Sequence, residues 1–262
     1  MNILLSNDDG VYAEGLRSLA QELRRYHHIT IVAPEAQHSG MSHAATFVEP
    51  VRVRPITLPG LQGVDVYATA GTPADCVRLG CTSLGLHIDL VVSGINHGAN
   101  LGTHVLYSGT VGAAMEAALG GKAALATSCC AWQPVDFSAA AHITQLIIEY
   151  IESSPPPPRM ILNLNTPELP LAHVKGIKLA KLHMQDYDDR HVEFNDPYGR
   201  RYFFMDFKER EILDDTIDSD VRWVQQGYAT LTPIHCDITC ETYMRQMDIS
   251  SVILPGGGAQ SK

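Results

Sequence analysis

Short apolar runs, each followed at once by a polar loop, set the rhythm of the first two thirds of the chain. Ile3-Leu4-Leu5 is the first such run. It is too short and too early for a helix, and it reads as a strand apolar on both faces, as in the middle of a parallel sheet. Polarity switches on within one residue at Ser6-Asn7-Asp8-Asp9-Gly10, where Gly10 permits a tight turn back across the strand end. Leu16, Leu19, Ala20 and Leu23 recur at helical spacing and predict a helix over 16–25. Residues 28–32 predict a second strand, which makes the opening a βαβ unit. That strand runs into a hydroxyl-rich loop, 33–43, long enough to argue for function.

Residues 51–56 and 64–68 predict two more strands joined as a ribbon, because no helix fits between them. Thr72 is the predicted N-cap of the next helix and Pro73 its first residue, where a missing N–H costs nothing. The strand over 88–92 ends in the glycine- and amide-rich loop 93–102. Tyr107-Ser108-Gly109-Thr110-Val111-Gly112 then leads into an alanine-rich helix, 113–119. A strand at 122–127, a helix at 142–151 and a strand at 160–164 follow, the last preceded by the stiff proline run 155–158. In open sheets of this class, ligands sit outside the carboxyl ends of the strands, where all three polar loops lie.

Beyond Pro170 the pattern changes. Residues 174–183, 201–207 and 229–234 predict strands, and 219–225 a short helix. Asp196-Pro197-Tyr198-Gly199 has its residues where a type I turn wants them. Acidic runs occur at 186–189 and 214–215, a helical end reaches about residue 252, and Gly256-Gly257-Gly258 predicts a flexible tail. The expectation is an α/β protein: a mostly parallel sheet flanked by helices over 1–170, and a β-rich appendage over 171–262. A lone hairpin bearing Tyr202, Phe203, Phe204 and Phe207 is marginal in water, so the appendage is expected to lie on a second copy of the chain.

Composition narrows the function classes. The 262 residues are 45% hydrophobic and 18% charged, with no apolar stretch approaching a membrane span. No basic region followed by an apolar core opens the chain, so a cytoplasmic protein is expected. Six cysteines without disulfide or C-x-x-C spacing fit reduced, buried thiols. A net charge of −10 argues against polymeric nucleic acid as a partner. It does not exclude a small phosphorylated ligand, because a bound cation supplies positive charge locally. Twelve histidines are present, none in a zinc-type pattern.

Candidate chemistry gathers in the three loops. Adjacent carboxylates repel each other unless a cation or a proton lies between them, and a hard divalent ion takes oxygen ligands. If the strands are neighbours, the loops offer Asp8 and Asp9 together with hydroxyl and amide oxygens, an oxygen set suited to Mg²⁺ or Mn²⁺. Free N–H groups at the helix start around Ser108, Gly109 and Thr110 offer an anion site. His38, His43, His97 and His104 lie in or near these loops as candidates to contact substrate or protonate a leaving group. The blander alternatives are a plain turn and helix cap at 7–10, and close helix–sheet packing at Gly109 and Gly112.

Read together, Asn7-Asp8-Asp9-Gly10, Ala33-Pro34 with Ser39-Gly40 and Ser42, Gly71-Thr72-Pro73-Ala74-Asp75, Ser93-Gly94-Ile95-Asn96 and Tyr107-Ser108-Gly109-Thr110-Val111-Gly112 resemble the SurE family of nucleotidases. The resemblance continues through Asp196-Pro197-Tyr198-Gly199-Arg200 and Gly227-Tyr228 to Thr232-Pro233, with Tyr198 standing where the family more often has arginine. It implies a Rossmann-like core and a metal-dependent phosphomonoesterase acting on nucleoside 5'-monophosphates, assembled as a homodimer or homotetramer. It also implies one divalent ion per subunit, Mg²⁺ or Mn²⁺, on Asp8, Asp9, Ser39 and Asn96. Asp8 then also orients or deprotonates the attacking water, and Ser108, Gly109 and Thr110 hold the phosphoryl oxygens. Direct attack by water is favoured over an aspartyl-phosphate, since the carboxylates are adjacent and not spaced D-x-D. A bulky residue at Gly109 is expected to block phosphate while sparing the metal. Rival readings are a phosphatase for 3'-nucleotides or short polyphosphate, and a regulatory module that binds nucleotide without turnover.

Overall fold

A computed structural model of the chain describes residues 1–131, 136–184, 190–206 and 218–249. In chain order the elements are β1 (Asn2–Ser6), α1 (Glu14–Leu23), β2 (His28–Pro34), β3 (Val53–Ile56), β4 (Asp65–Thr69) and α2 (Pro73–Thr82). Then come β5 (Leu90–His97), α3 (Gly109–Leu119), β6 (Ala123–Cys130), α4 (Ser138–Ser153) and β7 (Met160–Pro167). Last are β8 (Ile177–Leu179), β9 (Arg190–Asn195), β10 (Arg201–Asp206), α5 (Asp220–Gln225), β11 (Ala229–His235) and α6 (Glu241–Met244).

Among the described residues, nine strands form one sheet in the order β3-β4-β2-β1-β5-β6-β7-β11-β8. From β4 to β7 neighbours run parallel, while β3 on one side and β11 on the other join antiparallel to them. The apolar first strand lies at the centre because both of its faces are apolar. Ile3 and Leu5 pack with α1 and α4 through Leu16, Leu19, Ile143 and Ile147, whereas Leu4 packs with α2 and α3 through Val77, Val111 and Ala114. Burying each large aliphatic side chain of this kind contributes about 1.5–3 kcal/mol. The alanines of α3 (Ala113, Ala114, Ala117, Ala118) are all buried and let that helix lie close to the sheet.

Local signals place the helix starts. Thr72 caps α2 as expected: its hydroxyl accepts from Asp75 N–H at 3.2 Å and its own N–H donates to Asp75 Oδ2 at 2.9 Å, a reciprocal box with Pro73 inside it. Ser219 caps α5 by accepting from Arg222 N–H.

Several element bounds differ from those expected. The boundary at residue 170 does not fall at an edge of the sheet: β11 pairs with β7 over 229–235 and β8 pairs with β11. The physical reason is that Ala229, Thr230, Leu231 and Thr232 are all buried, the mark of an interior strand. What stands off the sheet is the hairpin β9–β10, whose Phe194 and Phe204 rings meet edge to face at 5.4 Å. The first hairpin strand, Arg190–Asn195, was not among the strands expected, although Val192 and Phe194 alternate with polar residues along it. The strand expected over 174–183 shrinks to Ile177–Leu179, and the helical end to Glu241–Met244. The acidic runs at 186–189 and 214–215, Phe207 and the glycine tail lie outside the described residues.

Candidate metal and phosphate site

At the carboxyl end of β1 the chain makes a turn that Asn7 closes. Its Nδ2 donates to Gly10 O at 3.0 Å and its Oδ1 accepts from Gly10 N–H at 3.2 Å. Asn7 is fully buried. Its amide locks the two carboxylates in place: Asp8 is buried and Asp9 sits at the rim. The neighbouring loops converge on this turn, as adjacent parallel strands require. His38 N–H donates to Asp8 O at 2.7 Å, and His97 N–H donates to Asp9 Oδ2 at 3.0 Å.

The start of α3 faces the same point. Ser108 is its N-cap, accepting from Val111 N–H at 3.1 Å. Thr110 Oγ1 donates to Asp8 Oδ1, and its backbone N–H supports the same carboxylate. A Cβ at position 109 would lie 2.8 Å from Asp8 Cβ and 2.9 Å from Asp8 Oδ2. Only glycine lets the helix start come this near the carboxylate.

Asn96 completes the cluster at the end of β5, where the register against β6 shifts between Ser93 and Asn96. Its Nδ2 donates to Gly98 O at 2.9 Å, which turns Oδ1 towards Thr110 Oγ1 at 3.4 Å. Thr110 has one hydroxyl proton and gives it to Asp8, so Asn96 Oδ1 is an acceptor set among acceptors. Ser39 is exposed, and its hydroxyl accepts from Gln37 Nε2 at 2.9 Å. Gln37 also supports the Asp9 carboxylate, and sequence reasoning had not singled it out.

Charge explains what the cluster asks for. Burial pushes the Asp8 carboxyl above its ordinary value, and the neighbouring Asp9 charge pushes the same way against the bonds from Thr110. Burial also raises Asp9, opposed by the His97 N–H and the Gln37 side chain. Two carboxylates kept from water with few donors gain from a cation. Among the described residues no group of three or more His, Cys, Asp or Glu is placed to hold a metal. The oxygens gathered here are two carboxylates plus neutral amide and hydroxyl groups, the kind of set a hard divalent ion takes.

The histidines divide. His43 Nε2 lies 2.9 Å from Glu116 Oε2, and Arg78 Nε donates to Glu116 Oε1 at 2.7 Å. His43 first and Arg78 after it hold the Glu116 carboxyl down to about 2. His43 thus anchors the long loop to α3, alongside Ser42, which donates through Oγ to Leu106 O at 2.7 Å and through N–H to Tyr107 O at 2.9 Å. His38 Nδ1 lies 2.8 Å from Met41 Sδ, and the His97 ring stands edge-on to Phe137 at 6.1 Å. His104 lies exposed in the short 3₁₀ turn Gly102–Leu106.

The family model described as Survival protein SurE matches residues 3–189, which spans β1 to β8 and every residue of this cluster. The chain belongs to the SurE family. Among curated SurE relatives, the 5'-nucleotidase SurE of Synechococcus sp. (strain JA-3-3Ab) is 42% identical over 244 residues, covering 91% of this chain and 93% of that protein. The 5'-nucleotidase SurE of Syntrophomonas wolfei is 41% identical over 241 residues, covering 91% of this chain and 90% of its own length. In three dimensions, the crystal structure of the SurE protein from Aquifex aeolicus matches with a TM-score of 0.81 at 32% identity, covering 94% of this chain and 98% of that one.

The geometry at Gly109 corrects one expectation. A side chain there meets Asp8 before it meets any ligand, so Gly109→Val disturbs the carboxylate pair as well as the helix start. The variant is expected to lose Mn²⁺ affinity in isothermal titration; unchanged affinity would separate position 109 from the carboxylates.

Asp8 gives a second prediction, in the metal-free protein. A carboxyl whose pKa is raised by folding favours the folded state while protonated, and that contribution is lost as pH rises through the raised pKa. Asp8→Asn is therefore expected to raise the melting temperature at pH 7, a gain of about 1 kcal/mol reading as ~2–4 °C. It should also flatten the fall in stability as pH rises above the ordinary carboxylate range. A melting temperature lower than wild type at pH 7 without metal would contradict the charge argument.

Proposed function

We propose that this chain hydrolyses nucleoside 5'-monophosphates to nucleoside and phosphate, with one divalent cation held by Asp8, Asp9, Asn96 and Ser39. The chain is a 5'-nucleotidase of the SurE type, a phosphoric monoester hydrolase. The observation that carries the reading is the buried carboxylate pair set against the N-terminus of α3. A module that only bound phosphate would gain nothing from two negative charges beside its anion. When bound, the ion supplies positive charge against the phosphate dianion and lowers the pKa of water.

The chain's own groups do the rest. No lysine or arginine occurs in the loops 7–10, 33–43, 93–102 or 107–112, so N–H and hydroxyl donors at Ser108, Gly109 and Thr110 receive the phosphoryl oxygens. Ser108 Oγ accepts from Val111 N–H and keeps its proton to donate. Thr110 spends its hydroxyl on Asp8, so its contribution is to orient that carboxylate. Asp8, raised towards the proton by burial, is the group that aligns the attacking water and accepts its proton. His38 and His97 stand in the same loops as donors to the departing 5'-oxygen. Mg²⁺ and Mn²⁺ both suit the oxygen set.

Among the described residues no helix is long and apolar enough to cross a membrane. The exposed hairpin sets the assembly we propose. Phe194 and Phe204, on one face of a two-stranded ribbon that is marginal alone, are each more than half exposed. A second copy of the chain covers this face in a homodimer or in a homotetramer built from dimers.

Phosphate release from AMP or GMP is expected with Mn²⁺ or Mg²⁺ and is expected to stop when EDTA is added. Asp8→Asn should lower kcat by about 10²-fold or more, as loss of a general base does. Absence of phosphate release with either metal would overturn the reading.

Deleting residues 192–208 is expected to give monomers or aggregate in sedimentation velocity. A deletion variant that sediments as the intact assembly and keeps full activity would remove the hairpin from the interface.

A further inference from the structure

One buried carboxylate has no part in the chemistry above. Asp220 is fully buried at the start of α5, far along the chain from the three loops. Its Oδ2 accepts from Gly102 N–H at 2.8 Å, and its Oδ1 accepts from His183 N–H at 2.9 Å and Val221 N–H at 2.8 Å. Its own N–H donates to Lys181 O at 2.8 Å. These bonds join three places: the 93–102 loop, the point where the chain leaves β8, and the point where it returns into α5. The hairpin β9–β10 lies between the last two, so one carboxylate pins both ends of the hairpin's stalk to the loop.

Gly102 is the right place to hold. It lies midway between Asn96, at the cation cluster, and Ser108, which caps α3 at the phosphate end. On the Asn96 side the loop is fixed by Gly98 N–H to Cys129 O at 2.9 Å and by the amides of Asn163 and Asn165, which donate to Asn100 O at 2.9 and 3.1 Å. On the Ser108 side the chain passes through the turn Gly102–Leu106, with His104 N–H donating to Leu101 O at 3.0 Å. The contact leaves no room for slack. Gly102 has a φ of +54°, and a Cβ there would lie 2.2 Å from His183 O.

We propose that Asp220 is a positioning residue: through Gly102 it holds the segment from Asn96 to Thr110 so that the cation ligands and the phosphate donors face each other. It touches neither substrate nor ion. Its carboxylate form is specific to the task, because all three surrounding groups are N–H donors and an ionised carboxylate only accepts. An amide in its place keeps one oxygen for the two donors at Oδ1 and turns an NH₂ towards Gly102 N–H. That expels the loop while leaving the stalk bonds intact. The kinetic part of the proposal rests on the nucleotidase reading; the binding part does not.

The test uses Asp220→Asn in the full-length protein, beside wild type, with three readouts: Mn²⁺ binding by isothermal titration, kcat for AMP, and thermal unfolding. Expected is a folded variant whose Mn²⁺ affinity and kcat both fall about 10- to 100-fold, the range for partners that orient metal ligands. A folded variant with wild-type Mn²⁺ affinity and kcat, and only a lower melting temperature, would show a purely structural role and overturn the proposal. If wild type itself releases no phosphate, the nucleotidase reading fails, yet the Mn²⁺ affinities still decide the role of Asp220. If the variant does not fold, hydrogen exchange on wild type decides. The Gly102 amide should then exchange as slowly as those of β1, and fast exchange there would mean the bond holds nothing.

Discussion

Two carboxylates side by side at the buried end of a central strand form the constraint on which the rest depends. Placing Asp8 and Asp9 there sets their charges against each other and against burial. The surrounding structure reduces this opposition without removing it. Asn7 closes the turn, Thr110 gives Asp8 its hydroxyl and N–H, and His97 N–H meets Asp9. What remains is a set of acceptor oxygens in which Asn96 Oδ1 lies 3.4 Å from Thr110 Oγ1, a hydroxyl already given to Asp8. That set of acceptors is why we propose a hard cation for this site.

The topology delivers these groups to one point. In a sheet where β2, β1 and β5 are parallel neighbours, the loops leaving their carboxyl ends share one crevice. The helix after the third loop then presents its N-terminus to the same crevice, and Gly109 allows it to approach within contact of Asp8. On the reading proposed here, N–H and hydroxyl donors at the start of α3 and a bound cation would meet the phosphate, since these loops hold no lysine or arginine. Family membership shows a 5'-nucleotidase of the SurE type, and the convergence of these loops is compatible with that chemistry.

Much of this was legible in the residues. Ile3-Leu4-Leu5 announced a central strand because both faces are apolar, and Thr72-Pro73 announced α2 because capping is a local act. Asp8 and Asp9 stood out because adjacent carboxylates after a buried strand are costly without a cation. Other features depend on contacts distant in sequence. Asn7 looks like any turn residue until its amide is seen closing on Gly10, and Gln37 until it is seen beside Asp9. Asp220 lies 118 positions from Gly102, and no pattern near either residue foretells their bond. The change of pattern beyond Pro170 gives no sign that β11 returns to pair with β7, because that pairing joins segments about seventy residues apart. Ser39 was named through resemblance, and the structure adds only its bond from Gln37.

The central claim is that the Asp8–Asp9 pair, with Asn96, is built around one hard cation. Crystals of the full chain soaked in Mn²⁺ and measured at the manganese absorption edge test it directly. The account predicts a single anomalous peak per chain, in contact with carboxylate oxygens of Asp8 and Asp9 and with Asn96 Oδ1. A peak elsewhere, or no peak in the crevice when Mn²⁺ is saturating, would contradict it.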